Sequence, residues 1–195
     1  MNPVETYLAE LHQIRATGAA VPETSYYGPL AALFNEIGAP LKPKVRCVIH
    51  LANRGAGIPD GGLFTANQFQ RGSETEPLKG QLPERGAIEI KPAYDDAWLA
   101  AEGAQVSKYW QRYGAVLVTN YRDFVLVGKD AHGSPLRLET FRFAPDEAAF
   151  WELAAHPKAA AAKHGERLAE YLRRVMMYAA PLAAPEDAAW FLASY

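Results

Sequence analysis

The segment Gly86-Ala87-Ile88-Glu89-Ile90-Lys91, closed by Pro92, constrains the fold more than any other stretch of the chain. Side chains of a strand alternate faces, so Ile88 and Ile90 point one way while Glu89 and Lys91 point the other. The isoleucines go to a core on their side, and the acid and the ammonium go to a shared cleft on theirs or form an ordinary exposed pair. Pro92 brings no N–H to a ladder and ends the strand.

The rest of the chain supplies the layers such a strand needs. Asn2 caps a helix over 2–17, with Leu8, Leu11 and Ile14 on one face and Gly18 as its stop. A second helix opens near Pro22-Glu23-Thr24 and carries Leu30, Leu33, Phe34 and Ile37 to Gly38. Strands are expected over 45–52 and 58–65, the second around Asp60. The polar stretch 68–85 reads as a long connection, of a length that is uncommon unless functional, as a segment closing over a ligand, or disordered. After the 86–91 strand, Asp95 and Asp96 start one helix running to Tyr113, where Gly114 stops it. Strands follow over 115–119, 124–127 and 136–143, the first two around the turn Asn120-Tyr121-Arg122-Asp123. Alanine-rich helices are expected over 146–156 and 157–178, and a last one begins at Pro185-Glu186-Asp187. Its apolar face of Trp190, Phe191, Leu192 and Tyr195 has about ten residues behind it, so the chain reads as cut from a longer one. The expected organisation is a core over 1–145 with a helical extension over 146–195.

Composition narrows the chemistry. With 195 residues, 49% hydrophobic and 22% charged, the chain can build one sizeable α/β core. Its first residues lack a basic segment followed by an apolar one, and no apolar run approaches the ~20 residues that span a bilayer, so a cytoplasmic location without a membrane partner is expected. Cys47 is the sole cysteine, which excludes an internal disulfide and a thiolate zinc cluster. The five histidines are scattered, none at the i, i+4 spacing of a zinc protease. The net charge is −2, yet residues 42–91 hold eight basic and five acidic side chains, a local excess of +3. That stretch reads either as a mixed solvated surface or as a face for an anionic partner.

Asp60 lies in Gly57-Ile58-Pro59-Asp60-Gly61-Gly62, at the other end of a strand-loop-strand unit from Glu89 and Lys91. Two carboxylates and an ammonium are the minimum equipment for metal-assisted phosphodiester hydrolysis, and Gly61 and Gly62 leave room for close approach by a backbone or a phosphate. Pro-Asp-Gly is equally an ordinary turn signal. On the following helix Gln105 and Tyr109 stand at i and i+4, neighbours on one face. Gln105 is placed either to orient Lys91 or a water, or simply on the surface.

Asp60, Glu89-Ile90-Lys91 and Gln105-x-x-x-Tyr109, in that order of elements, resemble the PD-(D/E)xK nuclease superfamily. With Glu23-Thr24-Ser25-Tyr26-Tyr27-Gly28-Pro29-Leu30, Gly57 to Gly62, and Gln105 through Tyr109 to Val116-Leu117-Val118-Thr119-Asn120, the chain is more closely similar to the N-terminal nuclease domain of single-polypeptide (type ISP) restriction-modification enzymes. The resemblance implies a restriction-endonuclease-like α/β core of helix, three-stranded antiparallel or mixed sheet, helix and strand, with appended C-terminal helices. It implies Mg²⁺, with Mn²⁺ as a substitute, held by Asp60, Glu89 and the carbonyl of Ile90, with Lys91 holding the attacking water or neutralising the phosphate, and Gln105 as a further catalytic position. Tyr109 is an additional candidate. Glu23 resembles an acid that some members bring to the metal, and a first-turn glutamate also has a capping explanation.

The implied partner is double-stranded DNA, cut to 5′-phosphate and 3′-hydroxyl ends, one strand per site, with double-strand breaks needing transient pairing of two nuclease domains. The 68–85 connection would then contact DNA or be disordered. Neither a Gly-x-x-x-x-Gly-Lys-Ser/Thr loop nor an Asn-Pro-Pro-Tyr motif occurs. Helicase-like, methyltransferase and target-recognition functions are therefore expected elsewhere in a parent chain, and this part is expected to cut without reading sequence. A catalytically silent nucleic-acid-binding or interaction module of the same fold, and an RNA or repair nuclease, are the alternatives.

Overall fold

In the computed structural model, which describes residues 2–51, 57–70, 77–130 and 132–178, six strands form one sheet in chain order. They are β1 (Val45–Ile49), β2 (Gly61–Thr65), β3 (Ala87–Ile90), β4 (Val116–Thr119), β5 (Asp123–Lys129) and β6 (Pro135–Arg142). Only β3 and β4 run parallel, and every other neighbouring pair is antiparallel. A parallel pair needs a crossover, which is supplied by α3 (Ala97–Ala101) and α4 (Ala104–Tyr113). The fold is mixed α/β, as expected, but its one sheet has six strands, because β5 and β6 extend it beyond the three strands, helix and strand of the expected core.

The predicted alternation along β3 divides the two layers. Ile88 and Ile90 enter a core with Leu117, Phe124 and Leu126 beneath α1 (Pro3–Ala16), α2 (Tyr27–Gly38), α5 (Glu147–Ala154) and α6 (Pro157–Met177). Ala87 enters a smaller core with Val116, Val118, Val125 and Val127 beneath α3 and α4, which is the face that Glu89 shares. Leu168, Leu172 and Val175 of α6 pack in the same cluster as Val4, Leu8 and Leu11 of α1. At ~1.5–3 kcal/mol for each fully buried large side chain, this contact is a major part of that core. Among the described residues no helix is long and apolar enough to cross a membrane.

Several expected boundaries move for local reasons. Asn2 caps α1 as expected, accepting from the Val4 N–H at 2.9 Å. The second helix opens at Tyr27, preceded by a 3₁₀ turn over Thr24–Tyr26; Pro29 then falls in its first turn, where no N–H is needed. The single helix expected from Asp95 to Tyr113 is two helices broken at Glu102 and Gly103, with Asp96 capping the first through Trp98 and Leu99. The described ends of the 68–85 connection are tied together by buried Gln68, whose side chain makes four hydrogen bonds: it accepts from Thr65 N and Glu84 N and donates to Leu82 O and the Gln81 side chain. The helix expected from Pro185, and Ala52 at the end of the first expected strand, lie outside the described residues.

His164 on α6 is buried against Phe143, and neither ring nitrogen has a hydrogen-bond partner. Burial, followed by the Lys163 and Arg167 charges, holds its pKa below the ordinary 6.5. The unfolded chain therefore takes up this proton first as pH falls, and stability drops from about pH 6.5 downward. Thermal unfolding should show the wild-type midpoint falling between about pH 7.5 and 5.5 by more than that of His164→Leu, with each kcal/mol lost worth roughly 2–4 °C.

Candidate active site

The candidate site forms where the β2–β3 ladder ends. That ladder pairs only Gly61 with Ile88 and Gly62 with Ala87, so the amide of Ile90 lies beyond it. The Asp60 carboxylate, at the bend entering β2, takes the place of a ladder partner: Oδ2 accepts from Ile90 N–H at 2.8 Å. N–H and C=O of one strand residue leave on the same edge, so the Ile90 carbonyl also faces the Asp60 side. Lys91 N–H donates instead to Thr119 O on β4, at 2.8 Å.

Tyr27 holds the other oxygen of Asp60. Its hydroxyl lies 2.9 Å from Asp60 Oδ1 and 3.2 Å from Glu23 Oε1, so one phenolic proton faces two carboxylates. Burial, then the charge of Asp60, its hydrogen bond and the charge of Glu23, push the Tyr27 hydroxyl far above its usual pKa, so the proton stays. Glu23 therefore does not act as the helix cap considered from sequence. It precedes the 3₁₀ turn with no capping bond from its side chain, which turns to Tyr27. Its backbone carbonyl is held by the hydroxyl of Tyr121, a fully buried residue at φ +70°, whose own carbonyl accepts from Tyr7 OH at 2.9 Å. The Asn120 side chain closes that turn by accepting from Asp123 N at 2.7 Å.

Glu89 is 1% exposed. One oxygen meets the Lys91 ammonium at 2.5 Å, and the other, Oε2, is buried with no partner. Burial pushes the Glu89 carboxyl up to about 7 against the opposing Lys91 hydrogen bond, with Asp60 and Glu23 adding to the rise. For Lys91, burial pulls the pKa down, but the Glu89 hydrogen bond and the Glu89, Asp60 and Glu23 charges outweigh it and hold the pKa above the ordinary 10.5. The ammonium stays charged.

Gln105 is exposed and does not reach Lys91. Its amide donates to Tyr109 OH at 3.0 Å, and Tyr109 OH donates to Ile58 O at 2.9 Å. Gly57, at φ +101°, lies against the same ring, where an added Cβ would come within 3.2 Å of it. The Gln105–Tyr109 pair thus fixes the approach to Asp60. Gly61 and Gly62 do not make room for a phosphate. A Cβ on Gly61 would meet Ile49 and the Val48 carbonyl, and one on Gly62 would meet Leu51 and Pro83, so both glycines serve close packing.

The structure brings Asp60, Glu89, Lys91 and the Ile90 backbone to one strand end, with Glu23 behind them through Tyr27. Among the described residues no group of three or more His, Cys, Asp or Glu side chains converges to hold an ion. A cation here would take Asp60, Glu89 and the Ile90 carbonyl, with water completing its shell, a donor set that suits Mg²⁺. The orphaned Glu89 Oε2 fits that role, because buried carboxylate oxygens are otherwise nearly always paired. Tyr27 and Tyr121 do not stand out in the sequence as site residues. Only Tyr27, four residues after Glu23, carries a signal, since helical spacing lets such a pair meet.

No protein-family model matches the chain, and no curated protein matches it in sequence. Among solved structures, a chain in a cryo-EM structure of a DrdV–DNA complex is similar in fold, with a TM-score of 0.51 and 18% identity. The match covers 80% of this chain and 94% of that one.

Proposed function

We propose that this chain is a metal-dependent DNA endonuclease module that hydrolyses phosphodiester bonds, one strand per site, without reading sequence. The observation that carries the reading is Glu89 Oε2, a buried carboxylate oxygen without a partner beside a charged Lys91 and an Asp60 fixed by two donors. A purely structural acid in this position would be expected to satisfy both oxygens. The fold likeness to a protein solved in complex with DNA, and the basic excess over residues 42–91, support DNA as the substrate class.

In this reading Asp60, Glu89 and the Ile90 carbonyl would hold Mg²⁺, for which Mn²⁺ would substitute. When bound, the cation lowers the pKa of a coordinated water and offsets charge on the phosphate. Tyr27 and the Ile90 amide keep Asp60 in one orientation, so no reorganisation is needed when substrate arrives. Lys91, kept protonated by its carboxylate neighbours, turns from Glu89 to the attacking water or to a phosphate oxygen, a point-charge role suited to an ammonium. Glu23 acts through Tyr27 as a positioning residue. Helicase-like, methyltransferase and target-recognition domains of a longer chain would deliver the DNA, and pairing of two such modules would convert nicks into double-strand breaks.

Supercoiled plasmid incubated with the protein and Mg²⁺ or Mn²⁺ should be nicked, and Asp60→Ala or Lys91→Ala should lower the rate roughly 10²-fold or more. Equal nicking by the variants, or none by the wild type on any DNA, would overturn the reading. Tyr27→Phe should keep the fold and weaken Mn²⁺ binding by roughly 10–100-fold in calorimetric titration, the usual effect of removing a group that orients a ligand. Unchanged Mn²⁺ affinity would remove Tyr27 from the site.

A further inference from the structure

A cavity of about 190 Å³ lies between the outer face of β1–β2 and the 77–83 segment. Val48, Leu51, Phe64 and Leu78 give it apolar walls, and His50 and Gln81 give it polar edges. It is smaller than the ~300–1,000 Å³ of pockets that take drug-sized ligands, which limits its occupant to a single small group. One wall is pre-set, because the four hydrogen bonds of buried Gln68 hold Gln81, Leu82 and Glu84 in place. Gln68 uses the carbonyl oxygen of Gln81, so the Gln81 amide nitrogen is the end left to donate.

His50 joins this cavity to the proposed site. Its backbone N–H donates to the Asp60 carbonyl at 2.7 Å, and its exposed ring lies 5.3 Å from the ring of Tyr27, whose hydroxyl holds Asp60. The residue holds φ +59°, one of two non-glycine positive φ values among the described residues. The other is Tyr121, which supports Glu23. Side chains held in this sparsely populated region concentrate where function over-determines the backbone.

We propose that this cavity takes one unpaired nucleobase of the strand being cut, next to the scissile phosphate. A nucleobase is a planar group with apolar faces and polar edges. The apolar walls with Phe64 match its faces, and His50 and the Gln81 amide match its edges. Such a site accepts any base, since every base has a π-face, which agrees with cutting that does not depend on sequence. The inference rests on the nuclease reading above for the identity of the strand. It goes further in making locally unpaired DNA the preferred substrate.

The test is a short single-stranded oligodeoxynucleotide with a central 2-aminopurine, titrated without divalent metal so that no cutting occurs. Wild type should change the 2-aminopurine fluorescence saturably, by about twofold or more, as the base leaves water for the cavity. Leu78→Asp, at a position already 37% exposed and so tolerant of a polar side chain, should bind at least about tenfold more weakly. Val48→Phe, which fills the cavity from the strand side, should weaken binding in the same way. No fluorescence change with wild type, or an unchanged response in both cavity variants, would overturn the subsite and leave the cavity to an apolar side chain of another polypeptide. A fluorescence response from a protein that nicks no plasmid would overturn the nuclease reading while leaving base binding intact.

Discussion

The amide of Ile90 lies just past the last paired residues of β2 and β3, and the Asp60 carboxylate closes it at 2.8 Å. This one bond makes a strand end into a site. Had the ladder continued, the edge at Ile90 would be filled by backbone, and Asp60 would be a turn residue facing water. Because the ladder stops, a charged side chain sits where a neutral carbonyl would be, beside the Ile90 carbonyl and next to the strand that carries Glu89 and Lys91. Hydrogen bonds to an ionised acceptor are among the stronger ones, so this geometry resists loosening.

The supporting shell is built mostly from tyrosines. Tyr27 holds Asp60 and Glu23, Tyr121 holds the backbone of Glu23, Tyr7 holds Tyr121, and Tyr109 holds Ile58 just before Asp60. A tyrosine offers apolar ring surface for a core and one polar tip. Three of these rings, Tyr7, Tyr27 and Tyr121, pack in the large core while their hydroxyls or carbonyls reach toward one strand end. Core packing and site geometry are therefore one structure. Glu89 is the exception. Its buried second oxygen has no partner and its pKa is pushed up to about 7, an arrangement that costs stability and that a bound cation would relieve.

The sequence made the strand bearing Glu89 and Lys91 legible because alternation over Ile88-Glu89-Ile90-Lys91 is a local rule, and the structure follows it face for face. Asp60 was legible only as a candidate, since Pro-Asp-Gly is a turn signal whether or not the carboxylate meets a second strand. Gln105 and Tyr109 were correctly paired by helical spacing, yet their target, the Ile58 carbonyl, was invisible because it depends on how α4 lies over the 57–60 segment. The break between α3 and α4 is not legible because an isolated glycine such as Gly103 is tolerated inside a helical pattern. Tyr121 and His50 were missed for a different reason. Their positive φ values have no local sequence signal at Tyr121 and only a weak one at His50, a residue type modestly enriched in that region.

The most direct test of the account is a crystal structure of the protein soaked with Mn²⁺, with anomalous scattering used to place the ion. One peak is expected at the end of β3, ligated by Asp60, by Glu89 through the oxygen now without a partner, and by the Ile90 carbonyl. An ion bound elsewhere, or no ion at the Asp60–Glu89 pair while Lys91 stays on Glu89, would contradict it.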